Sequence, residues 1–292
     1  MTRLLSMKFF ESQLHLDSID TLVFAGGGNR CWWQAGAITR LLEGGWKLPP
    51  VLVGTSAGAG VATSLLTCSA RDALASCKRL YERNDQLFNW RSLAQLQLKF
   101  AHQHIYPAWV ESFASDEHFE RLRSARSDLI VAVTRPSRLL GLAGSLMAGS
   151  IAYLVDKKVA HSIHPRLPRF LGLRQEFFNL KSVVDGPAAR VLLQAVAAAA
   201  PFMLAQRVNG AWGFDGGHAD NAPIPPQTEE EKAKTLVLLA RHYPGLPSVF
   251  QWHGRTYWQP SQKVPVSTWD CRPGTTVDAA FDLGMRDCSG IA

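Results

Sequence analysis

Five residues of the sequence, "GTSAG" from Gly54 to Gly58, set a serine among small neighbours between an apolar run and an Ala/Gly-rich one. A serine hydroxyl is a weak nucleophile unless something takes its proton and its surroundings stabilise the developing oxyanion. A sharp turn from strand to helix suits such a serine, because it lifts the hydroxyl above the strand end, close to the N-terminus of the following helix. Ser56 is therefore the candidate nucleophile, with Gly54 and Gly58 giving the turn its room. The plain alternative is that Ser56 only caps the helix that follows it.

Acyl transfer at Ser56 needs donors and a base, and two further glycine clusters offer them. In "FAGGGNR", Gly26, Gly27 and Gly28 precede Arg30, and bare backbone there suits an oxyanion hole, a phosphate cradle or a turn. A dinucleotide-binding G-x-G-x-x-G is not met, since its third glycine position falls on Cys31 and no acidic residue ends the second strand. In "DGGHADNAP", Asp215 is followed by Gly216 and Gly217. Taken alone this is a turn, and a carboxylate with an ordinary pKa of about 4 is a poor base unless burial makes it useful. His218, His161 and His164 read as surface or local hydrogen-bonding residues. No set of His, Cys, Asp or Glu has the spacing of a metal site, and the "EEE" at 229–231 reads as a solvated helix start.

In this order, "GGGNR", "GTSAG", "AAAAPFM" with Pro201 after its alanines, and "DGGHADNAP" resemble the patatin-like phospholipase family, over most of Thr21 to Pro226. The resemblance implies a three-layer α/β/α sandwich with a mostly parallel central sheet. It also implies lipid acyl hydrolysis by a Ser56–Asp215 dyad without an essential histidine, an oxyanion hole at Gly26–Gly28, and no organic cofactor. Phospholipids, lysophospholipids or neutral acyl esters are the implied substrates. Where the family usually has a glycine after the Arg or Lys, this chain has Cys31, then Trp32 and Trp33, which read as core packing or as an apolar wall for an acyl chain. Two competing readings stand beside this one: a catalytically silent lipid- or partner-binding scaffold, and a serine esterase whose base is a histidine.

The elements that must position these residues follow from apolar periodicity. "DTLVFAG" predicts a strand at 20–26 and Asn29–Glu43 a helix; Val51–Gly54 predicts a second strand and Ala57–Leu66 a small-residue helix. Together they make a right-handed parallel βαβ unit with only one strand ahead of the serine turn, an order that argues against the α/β-hydrolase arrangement. Helices are expected across Ala70–Phe119, with breaks at Asn84–Trp90 and near Pro107. Further elements are a strand at Asp128–Pro136, a helix at Pro187–Ala200, a strand or hairpin turning at "NG" before Asp215, a late strand at Lys234–Arg241 and a closing helix at Thr276–Asp287. Leu139–Val155 carries no charge over seventeen residues and has Arg135, Arg138, Lys157 and Lys158 at its flanks. It reads first as a buried helix or active-site cap and second as a membrane-embedded segment.

Composition bounds the rest. With 292 residues, 47% apolar and 19% charged, the chain is long and apolar enough to bury a full core, and one domain over 1–292 is expected, its last part from 227 completing the fold. Five scattered cysteines without a CxxC pair suit a reducing compartment, and Met1–Asp20 has no continuous apolar core of a secretory signal, so a cytoplasmic location is expected. The net charge of +7 suits peripheral contact with an anionic membrane, whereas dispersed Lys and Arg without interleaved stacking aromatics argue against nucleic acid.

Overall fold

The computed structural model describes residues 10–11, 14–95, 97–155 and 162–289. Ten strands, β1 (Phe10–Glu11), β2 (Thr21–Phe24), β3 (Val51–Gly54), β4 (Asp128–Arg135), β5 (Arg174–Asn179), β6 (Gln206–Val208), β7 (Ala211–Asp215), β8 (Thr235–Leu238), β9 (Val249–Trp252) and β10 (Arg255–Trp258), form one sheet. Its order is β1-β9-β10-β8-β2-β3-β4-β7-β6, with β5 on β4. The five central strands, from β10 to β4, are all mutually parallel, and antiparallel strands extend both sides. Parallel strands need crossovers, and both faces of such a sheet are buried, which explains the unbroken apolar runs "LVF", "VLV" and "LVL" at its centre.

Among the described residues, ten α-helices accompany the strands: α1 (Trp32–Glu43), α2 (Ala57–Thr67), α3 (Ala70–Glu82), α4 (His102–Ala114), α5 (Asp116–Ser124), α6 (Gly141–Val155), α7 (Leu167–Phe170), α8 (Gly186–Val196), α9 (Glu229–Ala233) and α10 (Val277–Ser289). The strand alternation divides them unequally. Leu22, Phe24, Leu52 and Leu236 face the large core built with α1 to α5, α8 and α10. Val23, Val53 and Val237 face the other way and are covered by connecting segments, through Ile163, Ala222 and Tyr243 among others. The mixed α/β fold with its mostly parallel centre is as expected, and the second outer layer is thinner than the first.

Two expectations are corrected here. No break occurs near Pro107, because α4 runs through it: proline forfeits a single helical hydrogen bond, and the buried Ile105, Trp109, Val110 and Phe113 pin the helix on both sides. Leu139–Val155 does contain a helix, α6, but only one of its faces is buried. Ser145, Gly149 and Ala152 point inward and Met147, Ile151 and Leu154 outward, so it is neither a core helix nor a membrane span. Among the described residues no helix is long and apolar enough to cross a membrane. The flanking Lys157 and Lys158 lie outside the described residues.

Candidate active site

The serine turn forms as its residue types dictate. Gly54 ends β3 against Val131 of β4, and Ser56 takes φ 52° and ψ −140°, a conformation that non-glycine residues rarely hold without support. Support comes from Val196 at the end of α8, whose carbonyl accepts the Ser56 N–H at 3.2 Å. Close approach fixes Gly58: any Cβ there would meet the carbonyl oxygens of Phe24 and Ala25, at 2.7 and 2.6 Å. Ser56 does stand at the N-cap position of α2, yet its hydroxyl makes no capping bond. Instead Oγ donates to Asp215 Oδ2 at 2.7 Å, across 159 residues of sequence.

Asp215 reaches Ser56 because of how β4 shares its edges. β5 pairs with β4 along one edge from Ile130 to Arg135, and β3 occupies the other only from Asp128 to Val131. β7 continues that second edge in the antiparallel sense, with Asp215 opposite Val133 and Phe214 opposite Thr134. The last residue of β7 thus arrives just past the end of β3, where the chain turns at Ser56. The Thr134 hydroxyl donates to the Asp215 carbonyl at 2.8 Å and locks this register. The hairpin that delivers β7 turns at Asn209 and Gly210, both at positive φ, as its "NG" foretold.

The Asp215 carboxylate is buried and asymmetrically bonded. Oδ1 accepts the Gly217 N–H at 2.7 Å while Oδ2 takes the serine proton. Burial pushes its pKa above the usual carboxylate range; nearby His218, the Ser56 hydrogen bond and the Gly217 amide oppose that rise. Gly216, the residue between, gives its carbonyl to the Thr134 hydroxyl at 3.3 Å.

The three loop glycines are not equivalent. Gly26 donates its N–H to the Asn221 carbonyl at 2.8 Å and accepts from Asn221 Nδ2 at 2.7 Å, which ties the loop to the segment carrying Asp215 but commits the Gly26 donor. No acceptor among the described residues meets the N–H groups of Gly27 and Gly28. Arg30 holds the Gly27 carbonyl through both its backbone N–H and Nε, at 3.3 and 3.2 Å. In a trans peptide the next N–H points opposite to that carbonyl, so Arg30 sets the direction of the Gly28 donor. Gly28 has φ 54°, and a Cβ there would strike the Thr268 carbonyl.

Beside Ser56 opens a mostly apolar cleft, the kind of lining that an acyl chain would meet. Gly28, Cys31, Trp32, Val61, Trp109 and Met203 are among its lining residues. The two tryptophans of the opening motif divide the roles foreseen for them. Trp33 is core: it is fully buried, edge-on to Trp258, with Nε1 donating to Asp287 at 2.7 Å. Trp32 is wall, edge-on to Trp109 at the cleft. Cys31 also lines the cleft, and burial pushes its thiol up to about 12, so it is unreactive at neutral pH.

The histidines sit elsewhere than on the surface. His218 is buried, its Nε2 3.4 Å from Ser150 Oγ of α6 and its ring edge-on to Phe214, and burial holds it below the ordinary imidazole value. His164 is partly buried, with Nδ1 on the Asp220 carboxylate and Nε2 on the Tyr257 hydroxyl, each at 2.9 Å. Both make local hydrogen bonds as expected, but inside the protein, because the loop after Asp215 is packed under 162–173 rather than left as an open turn. His161 lies outside the described residues.

Other cleft residues gave no sequence signal. Tyr106 and His102 come from α4, and their buried Oη and Nδ1 meet no partner among the described residues. Burial raises the Tyr106 phenol, which therefore stays a hydrogen-bond donor at neutral pH. Thr268 and Trp269 arrive from a loop held down by Asn29, whose Nδ2 donates to the carbonyls of Ser267 and Asp270.

Comparison with known proteins places this geometry among relatives. A family model described as patatin-like phospholipase matches residues 22–226. No curated protein matches the chain. Among solved structures, that of VipD from Legionella pneumophila is similar with a TM-score of 0.43 and 13% identity, over 94% of this chain and 67% of that one.

Proposed function

We propose that this chain, which belongs to the patatin-like phospholipase family, hydrolyses lipid acyl esters through Ser56 and Asp215. Family membership carries the activity class, lipid acyl hydrolysis. The choice of residues rests above all on one observation, the 2.7 Å bond from Ser56 Oγ to Asp215 Oδ2 made by a serine in a strained turn.

In this mechanism an acyl chain lies in the cleft with its ester carbonyl above Ser56. Oγ attacks the carbonyl carbon as its proton passes to Asp215 Oδ2, and the carbonyl oxygen becomes an oxyanion facing the free N–H groups of Gly27 and Gly28. Collapse of the tetrahedral adduct breaks the bond to the alkoxy oxygen, which leaves with the proton held by Asp215. Water then attacks the acyl-serine, giving its proton to Asp215; collapse breaks the bond from the acyl carbon to Oγ, which takes the proton back from Asp215, and the fatty acid leaves. Burial raises the basicity of Asp215, as both transfers require. The position of His218, against Ser150 rather than Ser56, favours the dyad over a histidine base, and the inward packing of Trp33 leaves the cleft open, which favours an active enzyme over a silent scaffold.

The test is labelling with a fluorophosphonate probe, together with hydrolysis of phospholipid, lysophospholipid and triglyceride substrates. Wild type should be labelled and release fatty acid, and Ser56→Ala should do neither. Labelling that survives in Ser56→Ala would overturn the mechanism.

A further inference from the structure

Helix α6 faces two different surroundings. Inward, Leu142 and Leu146 pack with Met203, Phe214 and Tyr106, two of which line the cleft, and Ser150 meets His218 three residues beyond Asp215. Outward, Met147 and Ile151 are 67% and 58% exposed and are continued along the same helical face by Leu154 and Val155. The neighbouring α7 adds Phe170, 83% exposed, and Leu139 stands open at the entry to α6. Single exposed apolar residues are ordinary, but a group of them on two touching elements marks a surface that meets something.

Charge indicates what that is. Between Ser137 and Gln175 the described residues include four exposed arginines, Arg138, Arg166, Arg169, which also pairs with Asp220, and Arg174, and no Asp or Glu; Asp156, Lys157 and Lys158 of this stretch lie outside the described residues. A second copy of this chain docked symmetrically on this face would bring the two arginine groups together, like charge against like. Anionic headgroups over an apolar interior complement both the arginines and the apolar stripe. At fifteen residues α6 is too short to span a bilayer, whereas lying in its plane needs only such a one-sided face.

We infer that the outward face of α6 and α7 is a docking surface for an anionic phospholipid leaflet. Met147, Ile151 and Phe170 enter the boundary between headgroups and acyl chains, and the arginines meet lipid phosphates. The inner face of α6 forms the back of the cleft wall, so docking holds the cleft against the lipid layer. This consequence rests on the proposed lipid hydrolysis, whereas the docking itself does not.

The experiment uses full-length Ser56→Ala protein, which binds without chemistry, and co-sedimentation with large vesicles of phosphatidylcholine alone or in equal parts with phosphatidylglycerol. Partition is expected onto the mixed vesicles and to be much weaker onto phosphatidylcholine. Met147→Asp with Ile151→Asp should lower it at least about tenfold, since each removes a buried apolar contact and adds a repelled charge. Arg138→Gln with Arg174→Gln should lower it about twentyfold on mixed vesicles, roughly fivefold per charge, with no change on phosphatidylcholine. In the Ser56 background both pairs should keep their melting temperatures and their turnover of a water-soluble short-chain ester. Undiminished partition in the Met147/Ile151 pair overturns the docking surface, as does a dimer in sedimentation velocity that those substitutions abolish. If no ester is cleaved yet partition follows the expected pattern, the docking surface stands and the proposed activity falls.

Discussion

Replacing Asp215 by Asn tests the base with almost no change in shape. Oδ1 of the native carboxylate accepts the Gly217 N–H at 2.7 Å, and only an acceptor satisfies that donor. The carbonyl oxygen of the new amide must therefore take the Oδ1 place, which turns the amide NH2 toward Ser56. The serine then faces a donor where it had an acceptor at 2.7 Å, and it loses both its base and the orientation of its proton. General-base removal costs about 10²–10⁴-fold, and the reversed hydrogen bond puts this variant at the upper end, near 10³–10⁴ in kcat, or roughly 4–5 kcal/mol. Stability should move the other way. Burial raises the folded-state pKa of Asp215 above its unfolded value, so the folded state keeps the proton to higher pH, and stability present below the unfolded value is lost as pH rises through the folded one. Above its folded-state value the ionised carboxylate is thus a burden on the fold, and there Asp215→Asn should melt at the same or a higher temperature. Steady-state hydrolysis of a soluble ester beside thermal unfolding measures both. Turnover within about tenfold of wild type in a folded protein would refute the role of Asp215 as base, because a lost general base costs more than that.

The same shift predicts a pH profile: kcat/KM should climb with pH through an inflection above the ordinary carboxylate range, and His218→Gln should keep that limb, whereas its loss would make histidine the base. Gly28→Ala should lower kcat about 10²–10³-fold, since the new Cβ meets the Thr268 carbonyl and displaces an oxyanion donor; near-native turnover would remove Gly28 from the hole. Trp33→Ala should cost about 3–5 kcal/mol in urea unfolding, as expected for a fully buried aromatic, and a loss under about 1 kcal/mol would contradict its place in the core.

Much of the site was legible in sequence because its chemistry depends on small residues at fixed offsets. Gly54 and Gly58 around Ser56 mark a turn that larger side chains cannot enter, and the strands and helix beside them follow from simple apolar runs. "NG" ahead of Asp215 marks the hairpin that delivers it. What stayed hidden depends on contacts between distant segments. Nothing near Gly26 reveals that Asn221 occupies its donor, and nothing in "HQHIYPAWV" reveals that Tyr106 and His102 line the cleft beside Ser56. The uncharged stretch around α6 misled as a core helix because composition gives no direction: Ser145, Gly149 and Ala152 took the inner face with Leu142 and Leu146, and Met147, Ile151 and Leu154 the outer one. β5, β9 and β10 mix polar with apolar residues, as in "RQEFFN", "VFQW" and "RTYW", and so give no unbroken apolar run of the kind that marks β2, β3 and β8.

The edge of β4 that β3 and β7 divide between them has a consequence for how this protein varies. The elements carrying Ser56 and Asp215 both pair with one strand, so the separation of the two residues is set by a count of rungs and not by the path of the chain between them. A one-rung slip would turn Asp215 to the other side of the sheet. Apart from β4 itself and the end of α8 that holds Ser56, the segments strung between the two, including the face proposed to meet lipid, are free to lengthen, shorten or change their character without moving the serine from its carboxylate. Chemistry and substrate choice are thereby written in separate parts of the sequence, and either is open to redesign while the other is left alone.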